Sequence, residues 1–292
     1  MKDPIKLLTA TSQFYSANPS LEDGRLKAHR VEFEVTLRAI LQYLPESPAK
    51  ILDVGGGTGG VPSEVSNSPY SFALAQRGHD VTLVDLSQGL LDTASERITL
   101  SPNAPHPNRI LQGNALDLLT ILPEFEQRSF DIVLLLGPLY HIMSSEGRED
   151  AIRQAWTMVK PSGSLFCAWV SRWAHYRDVA MRDPGRLSAK KESYAKHAIG
   201  GDYVRLDEFG VAVHAMNHEH PAKMPVVLKK VTGLAEVKMI GTEGVLAGGL
   251  DKLVNSLEGD AFEAWVEKCV ETGQDEYGWM MSDHIVGVAR KV

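Results

Sequence analysis

Residues 50–60, KILDVGGGTGG, set a short apolar run directly before a cluster of glycines, and few local patterns restrict a fold so strongly. The run KILDV has the length and branched content of a strand. The glycines let the backbone take positive φ and approach a ligand where a Cβ would collide. A strand that empties into such a turn opens a βαβ unit, so further strand–helix pairs should follow. Ser68, Pro69 and Gly78 read as the cap, first-turn proline and stop of the first crossover helix. Residues 81–84 form a second strand, after which Ser87 caps a helix to about residue 98 with Leu90, Leu91, Ala94 and Ile98 on one face. Residues 109–112 are a short third strand, and FDIVLLL at 130–136 is continuous enough to be buried on both faces. A helix over about 146–159 is stopped by Lys160-Pro161-Ser162-Gly163, and a fifth strand follows at 164–170. The tract 171–230, richer in His, Tyr and charge, breaks the rhythm as an inserted lid. Strands near 236–240 and 285–290 complete the series, and Phe262, Trp265, Val266, Cys269 and Val270 make a helical core stripe between them.

Composition narrows the function. The 292 residues carry a formal net charge of −7, with no dense field of Lys and Arg to grip a phosphate backbone, so nucleic acids and anionic membrane surfaces are not expected partners. Cys167 and Cys269 are too few for a disulfide framework or a Cys-rich zinc site, and Cys167 sits in an apolar run as a buried small hydrophobe. The first residues, MKDPIKLLTATS, lack a signal-peptide core, and no stretch approaches the roughly 20 apolar residues of a membrane helix. The cytoplasm is the expected compartment.

Gly55, Gly57 and Gly60 satisfy the G-x-G-x-x-G spacing of dinucleotide enzymes, which by itself is a weak signal. Asp53 argues against a pyrophosphate, since an anion two residues before the first glycine would repel it. The same carboxylate suits a ligand with an ammonium group. Asp85 ends the second strand, where a carboxylate accepts both hydroxyls of a ribose. Gln112-Gly113-Asn114-Ala115 follows the third strand and offers an amide and a backbone N–H to a purine edge. Leu136-Gly137-Pro138-Leu139-Tyr140-His141 leaves the fourth strand at its carboxyl end, the edge where open α/β sheets bind ligands.

Strand–DVGGGTG, VTLVDLS, QGNALDL, FDIVLLLGPLYHI and KPSGSLFCAWVSR, in that order, resemble the class I S-adenosylmethionine (SAM)-dependent methyltransferases, small-molecule enzymes with a GPLYH segment after strand four in particular. The resemblance covers about residues 30–172. It implies an α/β, Rossmann-like, seven-stranded sheet of order 3-2-1-4-5-7-6, the last strand antiparallel, with helices on both faces. The expected layout is an N-terminal helical cap over residues 1–45 and a SAM-binding domain over 46–292 carrying the lid at about 171–230. The implied cofactor residues are Asp53, Gly55, Gly57, Asp85, Leu86, Asn114, Ala115 and Leu136. Two departures stand out: Asn114 replaces the usual acid at the adenine position, and residues 61–67 insert between the glycine turn and its helix.

Methyl transfer is an in-line displacement that mainly needs alignment, with a base if the acceptor is a hydroxyl. Tyr140 and His141 sit where the acceptor should enter, and His141 is the expected base. Gly137 stands where enzymes methylating nucleobase or glutamine amide nitrogens resemble one another in an Asp or Asn, and two distant cysteines disfavour arsenic methylation. A small-molecule acceptor is therefore expected, with His175, Tyr176 and His218 of the lid as pocket candidates and no metal. Tyr15 and Arg30 are candidates to reach the cofactor carboxylate. A cyclase-like SAM-binding protein and a nicotinamide dehydrogenase remain the alternatives; Asp53 and GPLYH oppose the latter.

Overall fold

The computed structural model describes residues 4–18, 28–58 and 70–292. The expected cap at Ser68 and Pro69, the insertion 61–67 and the third glycine of the spacing, Gly60, lie outside the described residues.

Helix α1 (Pro4–Ala17) opens on a proline, whose missing N–H costs nothing in a first turn. Helix α2 (Arg30–Leu41) leads into β1 (Lys50–Val54), and α3 (Tyr70–Ala75) into β2 (Asp80–Asp85). Helix α4 (Gln88–Leu100) is capped as its sequence implies: the Ser87 hydroxyl accepts the Leu90 N–H at 3.3 Å. Strands β3 (Arg109–Gln112) and β4 (Phe130–Leu135) are followed by α5 (Ser145–Met158) and β5 (Val159–Ser171). Then come α6 (Arg172–Arg182), α7 (Lys191–Gly200), the hairpin β6 (Asp202–Leu206) and β7 (Ala212–Glu219), α8 (Met224–Thr232), β8 (Lys238–Gly241), α9 (Gly259–Gly273) and β9 (His284–Arg290).

The main sheet runs β3-β2-β1-β4-β5-β9-β8, with β1 to β5 parallel and β9 antiparallel to β5 and β8. This is the 3-2-1-4-5-7-6 order expected from the resemblance, with two extra strands inserted. Those two form a hairpin, and β7 touches the main sheet only at the end of β5, pairing Val170 with His218 and Ser171 with Glu219. Lys160–Gly163 does not separate helix from strand as expected. It lies inside β5 as an irregularity, with Ser162 at φ 64° and the β4 register slipping between Phe130 and Ile132.

Alternate strand residues feed two cores, the period-2 consequence of the pleat. Leu52, Val133, Leu135, Leu165 and Cys167 pack with Ala151, Ile152 and Ala155 of α5 and Leu228 of α8. Ile51, Ile132, Leu134, Phe166 and Val288 pack on the other face with α2, α3 and α9. Of the α9 stripe, Phe262, Val266 and Cys269 are buried, whereas Trp265 is 41% exposed. Arg30 at the start of α2 ties that helix to the α9 side: its guanidinium donates to the carbonyls of Asn255 and Leu257, pairs with Glu258 and lies 4.2 Å from the centre of the Phe262 ring. Among the described residues no helix is long and apolar enough to cross a membrane.

Candidate active site

The carboxyl ends of β1, β2, β3 and β4 open onto one cleft. Gly55 leaves β1 at φ 78°, and its N–H donates to the Val84 carbonyl at 2.7 Å, turning the chain back over the strand ends. A Cβ there would lie 2.6 Å from Cδ of Pro138, so glycine lets the β1 turn and the loop after β4 meet. Asp85 closes β2 with both oxygens fixed: Oδ2 accepts the Gly57 N–H at 2.9 Å and Oδ1 the Ser87 N–H at 2.8 Å. A carboxylate oxygen can accept more than one hydrogen bond. Asp53 lies under the turn, 1% exposed, and accepts the Ser71 hydroxyl at 2.5 Å. Burial, reinforced by the Asp85 charge, outweighs that hydrogen bond and pushes its pKa up to about 6.

All eight expected cofactor residues line this cleft, as do Tyr140 and His141. Asn114 does so with a twist: its amide oxygen accepts the Leu116 N–H at 3.0 Å, so its first task is to hold its own loop. His141 is tethered at both nitrogens. Nδ1 donates to the Ala215 carbonyl at 3.0 Å, which leaves Nε2 to accept the Tyr15 hydroxyl at 3.3 Å.

Helix α1 is the roof. Leu8, Thr11, Ser12 and Tyr15 line the cleft, the Ser16 and Ser87 hydroxyls bond at 2.8 Å, and Thr11 Oγ1 accepts the Ala215 N–H at 3.2 Å. Tyr15 thus reaches the cleft, whereas Arg30 is occupied by α9 and its flank and does not. His214, against Phe14, Tyr15 and His141, is held neutral by burial first and by His141 and Arg205 next, its pKa lowered to about 4.

His175, Tyr176 and His218, expected in the acceptor pocket, do not line this cleft. They belong to an aromatic cluster between α6, α7 and the hairpin, in which His175 stacks on His218 at 4.8 Å and the His197 and His218 rings hydrogen-bond at 3.0 Å. His214 and His218 both lie on the strand β7, on which they serve different neighbourhoods.

Sequence reasoning missed a second group. Glu32 of α2, Thr242 beyond β8 and His284 and Val286 of β9 also line the cleft. His284 Nδ1 donates to Oε1 of Glu243 at 2.6 Å, and Oε2 of Glu243 accepts the backbone N–H groups of Asp283 and His284, each at 3.1 Å. The ligand atoms of Glu32, Glu243 and His284 lie within 4.8 Å of one another, the spacing of a cation site, but both Glu243 oxygens already hold protein donors. The available signal was Ser282-Asp283-His284, a polar triplet directly before the apolar run of the last strand.

Residues 51–163 match the family model of a methyltransferase domain. A solved SAM-dependent methyltransferase from Methanosarcina mazei superposes with a TM-score of 0.53 at 18% identity, covering 87% of this chain and 97% of that one. The fold is that of the SAM-dependent methyltransferases. In sequence the chain is 27% identical over 139 residues to a ubiquinone/menaquinone biosynthesis C-methyltransferase of Nitrobacter hamburgensis, covering 48% of this chain and 49% of that one. It is 30% identical over 149 residues to a ubiquinone biosynthesis O-methyltransferase of Coxiella burnetii, covering 51% and 55%. The chain thus spans about half the length of the curated relatives it matches.

Proposed function

We propose that this chain is a SAM-dependent methyltransferase acting on a small-molecule acceptor. The observation that carries the reading is Asp85, a carboxylate locked by two backbone N–H groups beside the glycine turn and aimed at the ligand edge of the sheet. A ribose diol satisfies such a carboxylate, and the Gly113–Ala115 loop beside it would take the adenine. Among the described residues, Asp53, Asp85 and Glu32 line the cleft and no Lys or Arg does, a field that favours a sulfonium and an ammonium over a pyrophosphate. SAM, when bound, supplies an electrophilic methyl group. The protein's part is to hold the acceptor in line with it and to accept a proton where the acceptor carries one.

In this reading Tyr140 and His141 wall the acceptor. With its Nε2 engaged by Tyr15, His141 latches α1 over the ligand rather than standing free as a base. Choice of acceptor then falls to α1 and the loop after β4 rather than to the tract 171–230. The relatives' names specify carbon in one case and oxygen in the other, which fits an acceptor half that varies over a shared cofactor half. Calorimetry tests the reading: SAM and its demethylated product SAH should bind and NAD should not. Asp85→Ala should weaken SAM by about 1–3 kcal/mol, as for a hydrogen bond to a charged group. NAD binding without a response to SAM would overturn it.

A further inference from the structure

We infer that His284, oriented by Glu243, is the group that takes the acceptor's proton; this rests on the methyltransferase reading above. The dyad has the construction of an activated base: an imidazole inside the ligand cleft, its second nitrogen bound to a carboxylate, that carboxylate fixed by further donors. The Nδ1 bond to Glu243, 2.6 Å long, places the imidazole proton on Nδ1 and makes Nε2 the basic atom. Glu243 is 3% exposed and held by two backbone N–H groups, so it cannot swing away when the ring charges. Glu32 Oε2, 3.5 Å from Nδ1, adds a second negative neighbour to stabilise the imidazolium.

Topology puts the ring at the reacting edge. Strand β9 is antiparallel, so its first residue, His284, pairs with Val170 near the carboxyl end of β5. The sheet edge therefore continues from the proposed ribose and methionine positions on β2 and β1, across β4 and β5, to His284. His141, the base expected from sequence, has its Nδ1 on the Ala215 carbonyl, whereas His284 has its Nδ1 on a carboxylate. In the step inferred, a lone pair of the acceptor atom bonds to the methyl carbon. The carbon–sulfur bond breaks with its electron pair going to sulfur, and the acceptor's proton moves to His284 Nε2, to be lost later to solvent.

The test needs no knowledge of the acceptor. An adenosine carrying a 5′-aziridinium offers an electrophilic carbon near the position of the methyl. A protein nucleophile attacks it, the carbon–nitrogen bond opens, and its electrons return to nitrogen, leaving a covalent adduct that peptide mass spectrometry can map. The expected adduct is on His284, absent in His284→Asn while SAH affinity stays within a few-fold. Glu243→Gln should move the pH midpoint of alkylation downward by about one unit or more, because the carboxylate that favours the imidazolium is gone. An adduct on Tyr15, Tyr140 or His141 instead, or a bound analogue that forms none, overturns the assignment. Failure of SAH itself to bind would reject the methyltransferase reading.

Discussion

At Asp53 a cost in stability stands against the gain in cofactor binding proposed for it. Its carboxyl is raised from the usual 3.8 to about 6, chiefly by burial. A raised folded pKa means that folding favours the neutral acid. That contribution is complete below the unfolded pKa and lost as pH rises through about 6, so ionised Asp53 costs the ligand-free protein roughly 2–4 kcal/mol at neutral pH. A cationic ligand reverses the balance. Near pH 6, SAM binding should release protons, seen as a dependence of the calorimetric heat on buffer ionisation enthalpy. Asp53→Asn should raise the melting midpoint of the ligand-free protein by several degrees, abolish the proton release and weaken SAM at least tenfold. A variant that melts no higher and binds normally would remove Asp53 from the site.

At the scale of elements, α6, α7 and the β6–β7 hairpin form a module with its own small core. Arg172 of α6 donates to the carbonyls of Ala198, Ile199 and His218, and Asn217 to that of Gly200. Gly201, at φ 80°, ends α7 where a Cβ would fall 2.1 Å from the His218 carbonyl oxygen. The histidines and tyrosines in the middle hold this module together. His218→Ala should therefore cost about 1–3 kcal/mol of local stability, as for other broken buried hydrogen bonds. Hydrogen exchange should accelerate across residues 172–219 while SAH affinity stays within a few-fold. Unchanged exchange together with lost SAH binding would contradict the separation of this cluster from the cleft.

For the whole molecule, four histidines set the acid limit. Burial lowers His175, His197, His214 and His218, His197 and His214 to about 4. A depressed folded pKa makes the unfolded chain the better proton acceptor. The stability contributed is full above the unfolded value of 6.5 and is lost as pH falls toward 4. Calorimetric melting should therefore show a midpoint that drops steadily from pH 7 to 5, with net proton uptake on unfolding. His197→Gln should flatten the slope by up to one proton. A midpoint flat over that interval would mean that these rings are solvated.

The local code sufficed for the sheet and the edge that opens onto the cleft. KILDV-GGG, the Asp85–Ser87 turn and the continuous apolar strand at 130–135 act within a few residues of themselves, through φ freedom, capping and a period-2 pattern that both cores require. The same locality exposed Asp53, Asp85, Tyr140 and His141 as residues of one edge. It did not reach contacts made by distant segments. Whether His175 and His218 faced a ligand or each other depended on α7 and the hairpin folding between them, and Arg30 was drawn to α9 by carbonyls more than 200 residues away in sequence. Neither Glu243 nor His284 carries a motif. Their pairing exists because β9 inserts antiparallel between β5 and β8, which brings His284 back to the sheet edge that the glycine turn had already marked.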